Sequence, residues 1–224
     1  MTLGLYQCYK QVVSVRGWRH AARCRAITEF FIDMDVILGL VVGVSLAASC
    51  GFRVFSPLLV CGLAGRFGGL PLADALTWSA TTAGLVCLGA ATLVELLAYY
   101  IPWVDNALDT ISTPLAMAAG ALVMGAQMEA LPAFAQWGIA IVAGAGAAGG
   151  VQLTTASLRA ASSATTGGLG NSVVATGENI MSVVGAVLAV VAPVLAFIGL
   201  CLLGLITWRL VRLIRRRRAA AVAS

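Results

Sequence analysis

Charge is what this sequence has least of. Only 10% of its 224 residues are Asp, Glu, Lys or Arg, against roughly 25% in an ordinary soluble domain. Between Val36 and Trp208 the charged residues are Arg53, Arg66, Asp74, Glu95, Asp105, Asp109, Glu129, Arg159 and Glu178. So few cannot cover a water-facing surface of this size. Hydrophobic residues make up 60% of the chain and mean hydropathy is +0.97, so lipid is the solvent for most of it and a soluble domain is excluded. Histidine is nearly absent too. His20 is the sole one, and neither a G-x-S-x-G nor an H-E-x-x-H pattern occurs, so triad hydrolysis and zinc chemistry lack their residues. Cys8, Cys24, Cys50, Cys61, Cys87 and Cys201 form no C-x-x-C pair, and four of them lie in apolar runs where cysteine acts as a small hydrophobe. No disulfide framework, metal site or cofactor is expected. An intramembrane aspartyl site needs two facing aspartates, and Asp105 and Asp109 both fall near one membrane surface, so an enzyme is not expected either.

The charge that is present stands at the ends. The net charge of +5 comes from Lys10, Arg16, Arg19, Arg23 and Arg25 before the first apolar run and from Arg209, Arg212 and Arg215 to Arg218 after the last. Basic clusters flanking apolar spans set membrane orientation and are no sign of nucleic-acid binding. Residues 1–33 read as a basic extension: an interfacial segment, a targeting stretch or an over-called start, with Met34 a plausible initiator. Residues 34–210 read as one membrane domain and 209–224 as a basic cytoplasmic tail.

From Val36 the chain reads as five long apolar helices, an all-α polytopic membrane protein. They run over about 36–66, broken around Ser49-Cys50-Gly51 and by Pro57; 75–101; 112–128; 135–164, with a weak point at Gly149-Gly150; and 183–208, containing Pro193. Each exceeds the 9–11 residues of a barrel strand and lacks alternation. A shift of 99 residues lays G-F-R-V-F-S-P (51–57) over G-V-Q-L-T-T-A (150–156), and F-G-G-L (67–70) over T-G-G-L (166–169). Repeat one covers about 36–101, the connecting helix about 112–128 and repeat two about 135–208. With five spans the copies are inverted and their broken helices spanning or re-entrant. A cytoplasmic C-terminus then places Arg66 inside and the Asp105/Asp109 loop outside.

The stretches G-F-R-V-F-S-P-L-L at 51–59, I-P-W-V-D-N-A-L-D-T-I at 101–111 and T-G-G-L-G-N at 166–171 together resemble an uncharacterised domain-of-unknown-function family (4126) of bacterial inner-membrane proteins. The likeness covers about Met34 to the C-terminus and implies a multi-pass inner-membrane protein with no defined chemistry. By analogy, an aromatic-Arg-x-x-x-Pro stretch in a broken helix is similar to facing re-entrant hairpins, some of which move lipids.

Five side chains are candidates for a binding site. Arg53 and Arg159 are charges inside apolar helices, where an ion needs a partner or a cavity. Arg53 lies about 25 Å along a straight helix from Val36; its bland reading is a structural arginine tying helix-break carbonyls. Gln152 shares with Arg159 a polar helix rich in Thr154, Thr155, Ser157, Ser162 and Ser163, which should face protein or water. Glu95 either reaches the interface beside an aromatic belt of Tyr99, Tyr100 and Trp103 or pairs with an arginine. Asn171 closes a Thr165-to-Gly170 loop that reads as a turn plus cap, or as an anion-receiving helix start. Asp105 and Asp109 share a helix face, with Asp105 or Asn106 the expected cap. The leading expectation is a small channel or secondary transporter for an anionic solute. The alternatives are a non-transporting subunit that scaffolds a larger complex, or a lipid-moving protein. Expected partners are membrane lipid and either further copies of the chain or a membrane complex.

Overall fold

A computed structural model describes residues 18–69 and 72–223, and every regular element among them is helical. Helices satisfy their own backbone polar groups, which is what lipid demands. α1 covers Trp18–Phe52 and α2 Phe55–Phe67; a short 3-10 segment, Asp74–Ala80, leads into α3, Thr82–Ala98. α4 is Pro102–Gln127. α5 (Ala133–Ile139), a π segment (Ala140–Ala145) and α6 (Gly146–Thr166) follow one another without a gap, and α7 (Asn171–Val191) and α8 (Pro193–Ala223) complete the chain. Among the described residues three stretches are long and apolar enough to cross a membrane: Met34–Phe52, Ala133–Thr166 and Asn171–Val191. The 3-10 segment and α3, bent by 78°, count as a fourth if taken as one span, and α2 and Pro193–Ile206 are shorter apolar helices.

Several breaks fall elsewhere than the sequence suggested. α1 runs through Ser49-Cys50-Gly51 and stops at Phe52, while Pro57 sits in the first turn of α2, where a missing N–H costs little. α6 is continuous through Gly149-Gly150, and the irregularity lies earlier, in the π segment. The expected fifth helix is two: Pro193 cannot continue α7, and Ala192 before it takes φ −142° and ψ 70°. Pro102, at the start of α4, puts Asp105 and Asn106 inside that helix and not at its cap; the side chains of Asp105, Asn106 and Asp109 lie outside the described residues, as do residues 1–17.

Glycine sets the closest approaches. A Cβ on Gly120 would meet the carbonyl oxygen of Gly144, and one on Gly144 the carbonyl oxygen of Gly120, so α4 and the π segment touch backbone to backbone. Gly149 faces Met117, and Gly39 and Gly43 face Gln127 and Met124. α4 is thus antiparallel both to α1 and to α6, which makes α1 and α6 parallel. Gly51-Phe52 at the end of α1 and Gly150-Val151 in α6 therefore run in the same direction, while residues 55–57 turn back in α2.

α2 turns back along α1. Cys61 and Ala64 line a cavity with Asp35, Val42, Gln127 and Pro193, so α1 and α2 form a hairpin with its tip at Arg53-Val54. At the same end as Asp35 and Pro193, Glu129 accepts a hydrogen bond from the Asp74 amide at 2.9 Å, and Arg66 donates to Thr82 Oγ1 at 2.9 Å. The hairpin tip, the start of α4, the α6–α7 turn and Trp208, which lines a cavity with Phe52 and Leu158, stand at the other end. Arg66 and the C-terminal arginines are therefore at opposite ends, and the acidic start of α4 shares the C-terminal one, the reverse of the expected layout.

Candidate functional site

The hairpin tip is held from α3. Ending α1 at Phe52 and starting α2 at Phe55 leaves amide groups at the junction without helical partners. The Glu95 carboxylate takes two of them, from Val54 at 2.8 Å and Phe55 at 3.1 Å. Glu95 is buried, so the interfacial reading gives way to that of an anionic cap on the start of α2.

That cap fixes where Arg53 points. Its Nε donates to Asn179 Oδ1 at 2.6 Å, Nη1 to the Phe52 carbonyl at 3.3 Å and Nη2 to the Ala175 carbonyl at 3.4 Å. Nη1 is also 3.0 Å from Glu178 Oε2. Arg159, arriving from α6, donates from Nη1 to the same Glu178 oxygen at 2.6 Å. The Arg53 guanidinium lies 3.7 Å from the centroid of the Tyr99 ring and that of Arg159 lies 4.7 Å from it. Two cations, one from the hairpin tip and one from α6, thus share one carboxylate oxygen and one aromatic ring, whose negative face attracts both. Arg53 and Arg159 are each 1% exposed and Glu178 4%, so the coupling operates away from water, where its strength and the cost of losing one member are both high.

α6 delivers Arg159 on a narrow inward stripe. Gln152, Thr155 and Arg159, at i, i+3 and i+7, are buried, and the outward hydroxyls are spent on the helix itself. Thr154 donates to the Gly150 carbonyl at 2.8 Å and Ser157 to that of Leu153 at 2.7 Å, which lets a polar helix meet lipid on its other faces. Gln152 Nε2 has no hydrogen-bond partner among the described residues; it stands about 10 Å along the axis from Arg159. Asn171 is buried at the start of α7 and donates from Nδ2 to Ser163 Oγ at 2.9 Å. Gly167 and Gly168, at φ 64° and 93°, make the turn before it, so the Thr165-to-Gly170 stretch is the turn the sequence suggested.

Of the five candidates, Arg53 and Arg159 meet on Glu178, Glu95 supports Arg53 through the hairpin backbone, Gln152 extends the Arg159 stripe and Asn171 ties α6 to α7. Glu178 and Tyr99 are the residues sequence reasoning missed. Tyr99 is buried, its hydroxyl 2.7 Å from Ser112 Oγ, and does not belong to an aromatic belt; Tyr100 beside it is exposed, its hydroxyl 3.0 Å from Thr176 Oγ1, and the side chain of Trp103 lies outside the described residues. Below the cluster Ser56 and Ser182 are bonded at 2.6 Å, and Ser182 donates to the Ser49 carbonyl at 3.1 Å, closing α7 onto the hairpin. Among the described residues no three His, Cys, Asp or Glu side chains gather where one metal ion would sit.

An apolar helical bundle folded around a buried Arg-Glu-Arg group defines a membrane protein of the polytopic kind. Residues 40–213 match the family described as Domain of unknown function (DUF4126), and the chain belongs to that family. No curated protein and no solved structure matches it.

Proposed function

We propose that the protein is a small, non-enzymatic channel or secondary transporter of the bacterial inner membrane, and that its solute is an anion received between Arg53 and Arg159. The observation that carries this reading is the meeting of two guanidiniums on one carboxylate oxygen, Glu178 Oε2, inside an apolar bundle. Guanidinium forks match carboxylate and phosphate geometry. In this reading Glu178 occupies the solute's place in the resting state, and an entering oxyanion competes with it for the pair. Gln152, with an amide donor to spare, lies on the same stripe of α6 and serves as an earlier contact along the path.

The basic C-terminal end is cytoplasmic by the positive-inside rule, and Asp35, Asp74 and Glu129 mark the outer end. The α1–α2 hairpin then returns to the side from which it enters, and five crossings follow: the bent 3-10/α3 pair, α4, the α5-to-α6 rod, α7 and α8. Functional copies assemble as homo-oligomers or within a membrane complex.

Purified protein in liposomes, screened for uptake of chloride, phosphate and small carboxylates, tests the proposal. Flux of at least one of them should be abolished by Arg159→Met and by Arg53→Met in variants that still elute as folded protein. A second reading, a non-transporting subunit scaffolding a larger complex, draws on the sealing of the pair from water. Folded protein that passes none of these anions decides for it.

A further inference from the structure

The seam beneath α8 is open where the one joining α1, α4 and α6 is shut. A groove of about 470 Å³ runs between α1, α6 and α8, lined by Phe52, Gly150, Leu158, Leu203, Gly204 and Trp208 among others, a volume in the range of ligand-sized clefts. A Cβ on Gly146, Gly150 or Gly204 would meet nothing within 4 Å. These glycines therefore face space, whereas Gly51, Gly120 and Gly144 abut backbone. The hydroxyl of Thr154 in its wall is turned back on the Gly150 carbonyl, so the walls offer little but hydrocarbon. At its mouth Trp208 carries the Arg212 guanidinium 4.7 Å from its ring, and Arg209 is exposed beside it.

We propose that this groove binds an anionic phospholipid of the surrounding leaflet, one acyl chain lying against the glycine-lined wall of α6 and α8 and the headgroup phosphate held by Arg209 and Arg212. The occupant follows from charge complementarity. An empty apolar slot inside a membrane fills with a lipid chain of any kind, but Arg212 against Trp208 at its mouth, with the exposed Arg209 on the same turn of α8, selects a negative headgroup, Trp208 marking the interface level where that headgroup sits. The site shares no residue with the Arg53–Glu178–Arg159 group and stands whether or not that group carries an anion.

The test uses the full chain extracted from vesicles of phosphatidylglycerol and phosphatidylcholine in equal amounts, with retained lipid counted by native mass spectrometry. The wild-type protein should retain phosphatidylglycerol in preference to phosphatidylcholine. A basic side chain near the headgroups contributes about fivefold, so Arg209→Gln with Arg212→Gln should lower that preference about thirtyfold. Gly150→Leu with Gly204→Leu fills the groove and should release lipid of either kind, while Gly177→Leu, at an exposed glycine of α7 that also faces open space, should not. If the double leucine variant does not fold, Leu203→Trp fills the same groove. Retention of phosphatidylglycerol by the filled variants, an unchanged preference without the two arginines, equal loss in Gly177→Leu, or no lipid on the wild-type protein each overturns the proposal.

Discussion

The seam that joins α1, α4 and α6 and the seam under α8 are both rich in glycine, yet only the first is closed. In the first, Gly51 abuts Ala148, and Gly120 and Gly144 abut each other. In the second, Gly146, Gly150, Gly199 and Gly204 look onto open space. Small residues permit close approach but supply no force, because lipid tails are as apolar as the helices they surround. The force is polar. Arg53 to Asn179, both arginines to Glu178, Glu95 to the hairpin amides and Ser56 to Ser182 all draw on the hairpin, α3, α6 and α7, and none of them reaches α8. Hydrogen-bonded ions fasten the hairpin, α3, α6 and α7 together, the Tyr99 hydroxyl at Ser112 Oγ ties α4 to them, and α8 is left with the open seam.

The strongest way to break that contrast is to remove its ionic centre. Glu178→Gln leaves Arg53 and Arg159 facing each other without the shared carboxylate, a change that costs about 3–5 kcal/mol for a broken buried pair. Thermal unfolding in detergent should show it as a large fall in the midpoint. Adding Arg159→Met should cost less than the sum of the two single changes, since the second removes a charge the first had stranded. A Glu178→Gln variant that melts with the wild type would mean that the seam closes for other reasons.

A smaller loss should follow at the hairpin tip. Glu95→Gln replaces a carboxylate that accepts from both Val54 and Phe55 with an amide that has one acceptor oxygen, leaving an N–H unsatisfied at about 1–3 kcal/mol. Hydrogen exchange at the Val54 and Phe55 amides should speed up while exchange in α7 stays slow. Uniform acceleration over both regions would show that Glu95 stabilises the bundle as a whole and not the hairpin.

The ions were legible in the sequence, and their partners were not. Arg53 and Arg159 announce themselves because a charge within an apolar run is expensive, and their convergence on one interior was open to inference. Glu178 stands outside every helix the sequence suggests, since the fifth of them begins at Val183; with Pro193 as a stop, the run from Asn171 to Val191 is a helix and carries Glu178 and Asn179 inward. Tyr99, three residues from Pro102, reads from the sequence as an interface residue, whereas the hairpin tip, Arg159 of α6 and Ser112 of α4 enclose it. The apparent break at Gly149-Gly150 reflects a conflict of signals: glycine weakens a helix in water but serves packing in lipid, and Gly149 faces Met117. Direction along the membrane was the least legible, because it turns on α2 folding back along α1, which no single residue of 51–57 dictates.

The two seams should also answer alanine with opposite signs. Gly144→Ala drives a methyl into the Gly120 carbonyl and should cost about 1–3 kcal/mol, as overpacking does. Gly199→Ala meets nothing and gains helix propensity, so its midpoint should hold or rise slightly. Equal destabilisation at both positions would mean that α8 packs as tightly as α4.

The last prediction changes stability least and concerns which end holds the cluster. Leu169, in the α6–α7 turn, is 86% exposed and lies at the end shared by the hairpin tip and Trp208. Ala130 is exposed in the α4–α5 connection, next to Glu129, which bonds the Asp74 amide at the opposite end. Surface changes of this kind stay within about 0.5 kcal/mol, so Leu169→Cys and Ala130→Cys, each in a background freed of native thiols, report position alone. With the basic C-terminus inside, an impermeant maleimide should label Ala130→Cys on intact cells and Leu169→Cys only after permeabilisation. Labelling of both from one side would undo the alternation of helix directions, while exchange of the two outcomes would keep the bundle and turn it over. The pair of arginines would then lie nearer the outer surface, and an anion entering from outside would meet Arg159 before it met Gln152.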